Sequence, residues 1–346
     1  MTGTNQHLPS RHPQITPSTI AVLLVNLGTP SASDPKSVRR FLAEFLSDRR
    51  VIELSPLLWK PILYSIILTT RPAKIAKAYQ KIWMHEHNES PLRFYSRQQA
   101  EKLNHALQST ESNLMVEWAM RYGEPSLQSS LDKLKQQGCQ RLLVVPLYPQ
   151  FSATSSASVI DKVFDILKTW RWQPALRTLP PYFDHPAYIS ALAESLQRYL
   201  DTAHNKPEVI LASYHGIPKE CVKKGDPYYC QCSKSTRLLR EKLDVNDTFL
   251  QMTFQSRFGP KKWLEPATDL TLKELAKQGI KHVAIITPGF ASDCLETLEE
   301  MDIQNRETFI KYGGSQYDVI PCLNDSKIGI NMLETIIKQE LQGWIS

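Results

Sequence analysis

The chain has 346 residues, of which 42% are hydrophobic and 22% charged, and its formal net charge is +6. This composition is that of a folded globular protein long enough for two linked domains, and it excludes disorder as the main state. No run of five or more Lys or Arg marks a nucleic-acid arm, so no nucleic-acid partner is expected.

The first nineteen residues are polar and contain proline but no apolar core of a secretory signal, which predicts a disordered tail at residues 1–19. The most apolar stretch, residues 51–68, includes Pro56 and Pro61 and is not expected to span a membrane. Six cysteines without an export signal indicate a reducing compartment. We expect a cytoplasmic monomer, with a homodimer and peripheral contact at the inner face of the membrane left open.

Eight short runs rich in Val, Ile and Leu end in Gly, Pro or a polar residue, as buried parallel strands do. In chain order they are residues 20–28, 114–123, 141–149, 174–179, 208–216, 249–256, 282–290 and 317–324. Helical patterns lie between them at 90–109, 125–137, 158–170, 186–203, 234–243, 266–278, 293–312 and 326–342. The alternation predicts an α/β fold of two doubly wound, Rossmann-like domains, each with a four-stranded parallel sheet. We place the domains at 20–182 and 183–346 and leave open whether the last helix packs back on the first domain.

A histidine stands where one predicted strand ends, and ligands of open α/β sheets bind beyond such ends. His215 lies in the segment SYHGIP, and the glycine after it permits close approach of backbone or ligand. By position alone such a histidine is more often structural, so a functional role requires a partner. No GxGxxG or GxxxxGK[ST] motif follows any strand, which argues against dinucleotide and P-loop sites.

The partner is offered by a line of carboxylates within residues 292–307. Their spacing of three, four and seven places them on one face of a predicted α-helix; they are Asp293, Glu296, Glu300 and Glu307. Acidic residues in a first turn offset the helix dipole, which accounts for the first two but not for the others. Such a line suits a path for protons or divalent cations. Glu299 lies off this stripe, and its replacement by glutamine is expected to do little.

Aromatic residues near the strand ends, Phe290, Tyr148 and Trp263, suit the walls of a pocket for a flat conjugated ligand, with core packing as the alternative. Arg71 and Arg121 are candidates to bind ligand carboxylates, with surface ion pairs as the alternative.

One cysteine cluster, Cys221, Cys230 and Cys232, has the ligand type of an iron or zinc site. Such sites usually have a fourth ligand. Nothing in the sequence selects Cys139 or Cys322 for that role, so a two-iron, two-sulfur cluster is left open.

Five segments resemble the signature segments of the ferrochelatase family: SYHGIP, LYPQFSATS, GDPYY, TFQSRFGPKKWLEPATD and PGFASDCLETLEEMDIQNRETF. NLGTP, FLSDRRVIEL, YQKIW followed by SPL, and MRYGEPSL extend the match, which covers residues 20–324 in the expected order. The resemblance implies the class II chelatase fold, with a porphyrin in the cleft between two Rossmann-like domains. Residues 51–70 are then similar to the lip over that cleft, where family members open, close and touch a membrane. A plain helical core is the alternative.

The resemblance also implies roles for individual residues. His215 corresponds to the catalytic histidine and Glu296 to the metal-site glutamate, and both are expected at the metal. Porphyrin contacts are implied for Trp263, Phe290, Arg71, Ser96, Arg121 and Tyr122. Leu27 stands where coproporphyrin-metallating relatives tend to carry tyrosine, which favours protoporphyrin IX. The chain stops short of the cysteine-bearing extension of animal members, so a cluster would require internal cysteines.

These expectations describe a lyase of haem biosynthesis that inserts Fe²⁺, its substrate, into protoporphyrin IX and releases protohaem and two pyrrole protons. His215 is expected to accept pyrrole protons, while Glu296, with Asp293 and Glu300 as a relay, handles the metal or carries protons away. Which group first contacts iron is left open. The alternatives are a coproporphyrin-type or other tetrapyrrole chelatase and a non-catalytic porphyrin carrier.

Overall fold

Two parallel sheets form the framework of the chain in a computed structural model that describes residues 19–108, 113–259 and 261–345. The first sheet contains β1 (Thr19–Gly28), β2 (Leu114–Tyr122), β3 (Cys139–Pro146) and β4 (Ala175–Thr178). The second contains β5 (Val209–His215), β6 (Leu250–Gln255), β7 (His282–Ile286) and β8 (Gln316–Val319). Their strand orders, β2-β1-β3-β4 and β6-β5-β7-β8, are the same. The eight predicted strands and the predicted fold class are confirmed.

Thirteen α-helices and three π-helical segments connect the described strands. The α-helices are α1 (Pro35–Phe45), α2 (Pro56–Ile62), α3 (Leu68–Thr70), α4 (Pro72–Ile82), α5 (Pro91–Gln108), α6 (Leu127–Gln136), α7 (Ser158–Leu167), α8 (Pro186–Thr202), α9 (Lys219–Lys223), α10 (Tyr228–Leu243), α11 (Thr268–Lys277), α12 (Asn305–Lys311) and α13 (Lys327–Glu340). The π-helical segments are π1 (Leu63–Ile67), π2 (Ala153–Ala157) and π3 (Glu296–Gln304).

Strand β1 shows why buried strands could be predicted from apolar runs in the sequence. Its side chains alternate between two cores: Val22 and Leu24 belong to a cluster between the sheets, while Leu23 and Val25 pack with residues of α6 and α7 on the outer face. Because helices cover both faces, the consecutive residues 20–25 of the strand are all apolar, rather than every second one.

One hydrophobic cluster is shared by the two sheets. It contains Val22 and Leu143 of the first sheet, Ile210 and Ala284 of the second, and side chains of α5, α8, α10 and α13 between them. Helix α13 contacts both α5 and α8. The predicted division at 182/183 therefore stays a prediction, since this core extends across it. Residues 1–18 of the predicted tail lie outside the described residues, and Thr19 already begins β1.

The helix predicted at 293–312 differs most from the sequence pattern. It consists of the π-helix π3 followed by α12. A π-helix has i→i+5 hydrogen bonds and more residues per turn than an α-helix, so different side chains share a face. Periodicity in the sequence does not signal this change.

The segment at 51–70 forms α2, π1 and α3, and α2 has no buried residue. Leu57 is 87% exposed, Leu58 68% and Ile66 55%, whereas Leu63 and Leu68 are buried against α1 and α4. A plain helical core is thus wrong for this segment, which we call the lip. No helix of the described residues is long and apolar enough to cross a membrane.

Candidate active site

The carboxyl ends of the two sheets meet. Leu27 at the end of β1 and Met120 of β2 share an apolar cluster with Phe290 and Cys294, which follow β7. Side chains that the sequence placed at the ends of separate strands therefore surround one cleft, as expected for ligand sites of α/β sheets.

His215, the last residue of β5, is half-buried in this cleft. Its Nδ1 lies 2.7 Å from the carbonyl oxygen of Gly216. A carbonyl can only accept a hydrogen bond, so Nδ1 carries a proton, and the neutral ring then has its lone pair on Nε2. The ring centroid is 6.5 Å from that of Phe290. An imidazole in this tautomer can accept a proton at Nε2.

The turn after His215 depends on Gly216. A Cβ there would lie 2.7 Å from the backbone oxygen of Gln255 and 3.3 Å from Cε3 of Trp263, which leaves no room for a side chain. Trp263 is buried, and its Nε1 donates to the carbonyl oxygen of Phe258 at 3.0 Å. The structure thus places Trp263 against the histidine turn, where it supports that turn.

Glu300 lies next to the histidine. Its carboxylate accepts hydrogen bonds from the backbone N–H of Ser256, at 2.8 Å, and from the Ser256 hydroxyl. Burial raises the pKa of Glu300 and the negative charge of Glu296 adds to this, against the lowering effects of Ser256 and His215. A carboxyl group with a raised pKa exchanges protons closer to neutral pH, as a proton relay requires.

Glu296 is the first residue of π3, and its backbone oxygen accepts from Nε2 of Gln255 at 3.0 Å. Its carboxylate lies near Tyr79 of α4, whose pKa is raised by burial and further by the Glu296 charge. Glu296 therefore lies between α4 on one side and the end of β6 on the other. A carboxylate there can bind a hard cation.

Asp293 is buried, and both oxygens of its carboxylate are engaged. Oδ2 accepts from Nδ2 of Asn324 at 2.6 Å, and Oδ1 accepts from Oγ1 of Thr297 at 2.9 Å. The backbone N–H of Asp293 donates in return to Oδ1 of Asn324 at 2.8 Å. These bonds fix the start of π3, so Asp293 positions Glu296 and Glu300.

The predicted acidic stripe ends at Glu300, because Glu307 lies exposed on α12. Glu299, expected off the stripe at a tolerant position, is instead buried, and its Oε1 accepts from Nζ of Lys81 at 3.0 Å. The α-helical periodicity assumed for the stripe does not apply within π3.

Arg121 and Tyr122 belong to a buried polar network that the sequence did not indicate. Asp48, which precedes the lip, accepts from the Arg121 guanidinium, from the Tyr122 hydroxyl at 2.8 Å and from the Ser158 hydroxyl at 2.6 Å. Arg121 Nε also donates to Oγ of Ser158 at 2.7 Å. The network connects the base of the lip to β2 and α7, so these two side chains are engaged within the protein.

Comparison with known proteins shows the family to which the chain belongs. The family model described as Ferrochelatase matches residues 19–341. The chain belongs to the ferrochelatase family. The ferrochelatase of Agrobacterium fabrum is 54% identical over 338 residues, 98% of each chain. That of Brucella ovis is 55% identical over 326 residues, which is 94% of this chain and 92% of the relative.

Two solved structures share the fold at low identity. SirB from Bacillus subtilis with Fe³⁺ has a TM-score of 0.55 at 13% identity, covering 94% of this chain and 97% of that one. The sirohydrochlorin chelatase SirB from Bacillus subtilis subspecies spizizenii, in complex with cobalt, has a TM-score of 0.51 at 11% identity, with the same coverage. These likenesses support the class II chelatase fold.

Family membership identifies the chain as a ferrochelatase-type lyase of haem biosynthesis, with Fe²⁺ and a porphyrin as substrates and haem as product. Among the described residues, no three His, Cys, Asp or Glu side chains lie close enough together to hold a metal ion. In a ferrochelatase the porphyrin nitrogens are the final ligands of the iron.

The remaining residues predicted to contact porphyrin differ in their surroundings. Ser96 is buried and accepts from Nδ2 of Asn26 at 3.1 Å, so its hydroxyl oxygen is engaged. Arg71 is exposed between α3 and α4 at the lip and pairs with no acidic residue that the structure describes. The hydroxyl of Tyr148 is buried without a hydrogen-bond partner among the described residues. Arg71 is thus the predicted porphyrin contact with a free charge.

The three predicted cluster cysteines do not form a ligand set. Cys232 is fully buried, where burial raises the pKa of its thiol, whereas Cys230 is exposed and Cys221 half-buried. Iron–sulfur clusters require thiolates directed at one point. These cysteines therefore do not fit a cluster, and no step of the chemistry is assigned to one.

Proposed function

We propose that the chain inserts ferrous iron into protoporphyrin IX in the cleft between the two sheets, with His215 as the base. The observation that carries the proposal is the free Nε2 of His215 in one cleft with Glu296 and Glu300. Protoporphyrin is preferred because Leu27 gives this cleft an apolar wall. Coproporphyrin carries two propionates where protoporphyrin carries vinyl groups, and burying a charge on an apolar wall is unfavourable.

In this proposal His215, Glu296 and Glu300 have different roles. His215 takes pyrrole protons on Nε2, because Nδ1 is occupied with Gly216. Glu296 contacts the ferrous ion with a hard oxygen ligand. Glu300 receives protons, since its raised pKa makes it a good acceptor and donor. Asp293 restrains π3 and takes no proton itself.

Arg71 is proposed to bind a porphyrin propionate, because it is exposed at the edge of the lip without an acidic partner among the described residues. Ser96, Arg121 and Tyr122 are proposed to shape the wall behind the ring through their internal hydrogen bonds. Phe290 and Trp263 are proposed as the aromatic part of that wall.

The test is anaerobic insertion of Fe²⁺ into protoporphyrin IX, followed by loss of porphyrin fluorescence, with coproporphyrin III in parallel. His215→Ala should lower kcat by about 10²- to 10⁴-fold and leave porphyrin binding measurable. His204→Ala, which replaces an exposed histidine, should match the wild type. Normal turnover of His215→Ala would contradict the assignment, and porphyrin binding without turnover in the wild type would favour a carrier.

We also propose that the lip binds the surface of an anionic membrane at its cytoplasmic face while the chain remains a monomer. Leu57 and Leu58 are more than half exposed, and burying such a side chain contributes about 1.5–3 kcal/mol. Leu57→Asp with Leu58→Asp should reduce cosedimentation with vesicles of phosphatidylcholine and phosphatidylglycerol. Leu270→Asp, at an exposed leucine of α11, should not. Equal vesicle binding by all variants would refute membrane binding by the lip. A dimer in size-exclusion chromatography with light scattering would refute the monomer.

A further inference from the structure

An ion pair joins the two halves of the chain directly beside the cleft. Nζ of Lys81, in the last turn of α4, donates to Oε1 of Glu299 in π3 at 3.0 Å. The Glu299 side chain is 8% exposed, whereas that of Lys81 is 50% exposed. Nε2 of Gln304 donates to the other oxygen, Oε2, at 2.5 Å. Within the described residues, Lys81 is the one cation paired with this buried carboxylate.

The same two elements are in contact at other points. Tyr79 of α4 lies near Glu296, the first residue of π3. Leu295, which precedes π3, packs into the cluster that contains Leu63 and Leu68 of the lip. Helix α4 follows the lip directly in the chain, so the lip and π3 are connected through one continuous set of contacts.

Removing the cation from a buried carboxylate costs free energy, because neither water nor another charge then compensates the negative charge. Any displacement of α4 from π3 would separate Lys81 from Glu299 and leave that carboxylate with Gln304 alone. The pair therefore favours one arrangement of the two elements. Since Glu299 lies between Glu296 and Glu300 in the chain, this arrangement also sets where those carboxylates stand in the cleft.

We propose that Lys81 and Glu299 are a positioning pair that holds α4, the helix after the lip, on π3 and so sets both the closure of the lip over the porphyrin and the placement of Glu296. The inference rests on the proposed function of the cleft. Neither residue contacts the reacting atoms in this proposal, and their effect passes through α4 and π3.

The experiment compares Lys81→Met, Glu299→Gln and the double variant. Protoporphyrin affinity is measured by fluorescence without iron, and the KM for Fe²⁺ by anaerobic turnover. Each single variant should raise both the porphyrin Kd and the iron KM by about tenfold, a typical size for coupling between sites. The double variant should show no further increase, because both changes remove one interaction. Lys81→Arg, which keeps the charge, should restore most of the affinity.

Two matched controls define the background. Lys77→Met replaces an exposed lysine of the same helix, and Glu307→Gln an exposed glutamate after π3; neither residue has an ionic partner among those described. Both should match the wild type. A pair that only stabilises the fold would lower the melting temperature of Lys81→Met and Glu299→Gln and leave porphyrin Kd and iron KM unchanged. That result, or additive effects in the double variant, would overturn the proposal.

Different results would refute the proposed function and the positioning pair. If the wild type binds porphyrin but inserts no iron, the proposed function fails, while a weakened porphyrin Kd in the single variants still supports the pair. If the wild type inserts iron and the single variants match it, the pair has no positioning role and the proposed function stands.

Discussion

Replacing Asp48 with alanine tests the polar network at the base of the lip. The Asp48 side chain is 9% exposed and that of Arg121 12%, so the substitution leaves a nearly buried guanidinium without its carboxylate. Breaking a buried pair by removing one partner costs about 3–5 kcal/mol. The hydroxyls of Tyr122 and Ser158 lose the same acceptor. The loss of these two hydrogen bonds is included in the cost of about 3–5 kcal/mol, because the bonds form one network and their energies do not add independently. Asp48→Asn, which keeps an acceptor oxygen, should cost about 1.5–3 kcal/mol.

The measurement is the free energy of unfolding from urea titrations at pH 7. Asp165→Ala is the matched control, because this carboxylate is 65% exposed and its one ion-pair partner among the described residues is Lys168, also on the surface. It should leave the urea midpoint unchanged. If Asp48→Ala also leaves the midpoint unchanged, the network does not stabilise the fold, and the argument from burial is refuted.

The cost of Asp48→Ala should depend on pH. Burial alone would raise the pKa of Asp48, but hydrogen bonds from Ser158, the Arg50 backbone and Tyr122, together with the Arg121 charge, lower it overall. A carboxyl group with a lowered folded-state pKa stabilises the protein above its unfolded pKa and loses this contribution as pH falls through the folded value. The difference in the free energy of unfolding between the wild type and Asp48→Ala should thus be largest at pH 7 and should decrease below about pH 4. A difference that grows on acidification would contradict the assigned shift.

Three further outcomes are expected. Glu300→Gln should flatten the acid side of the pH–rate profile, because burial and the Glu296 charge raise the pKa of Glu300 and glutamine exchanges no proton; an unchanged acid limb would count against the relay. Gly28→Ala should destabilise the fold by about 3 kcal/mol or more in urea titrations, since its φ is +115° and a Cβ would lie 1.8 Å from a backbone oxygen of β2. Gly225→Ala, at φ +97° with open space, should cost only about 1–2 kcal/mol, and equal losses would disprove the clash. Leu27→Tyr should shift the ratio of kcat/KM values toward coproporphyrin by about tenfold, and an unchanged ratio would remove Leu27 from porphyrin selection.

The sequence by itself determined the eight strands and the fold class. The central strands β1 and β5 are short apolar runs with both faces buried, ended by Gly or a polar residue, and this signal is local. A strand end indicated His215, and the spacing of acidic residues indicated Glu296 and Glu300, because these features depend on neighbours close in the chain. Leu27 was indicated by the resemblance to the ferrochelatase family.

Only the tertiary structure decided the rest. The π-helical form of residues 296–304 leaves no trace in apolar periodicity, so the sequence could not distinguish Glu299, which is buried, from Glu307, which is exposed. No sequence pattern singled out Asp48 or Lys81, because their partners lie 73 and 218 residues away in the chain. A charged side chain gains its role from whichever element packs against it, and no local pattern records that contact.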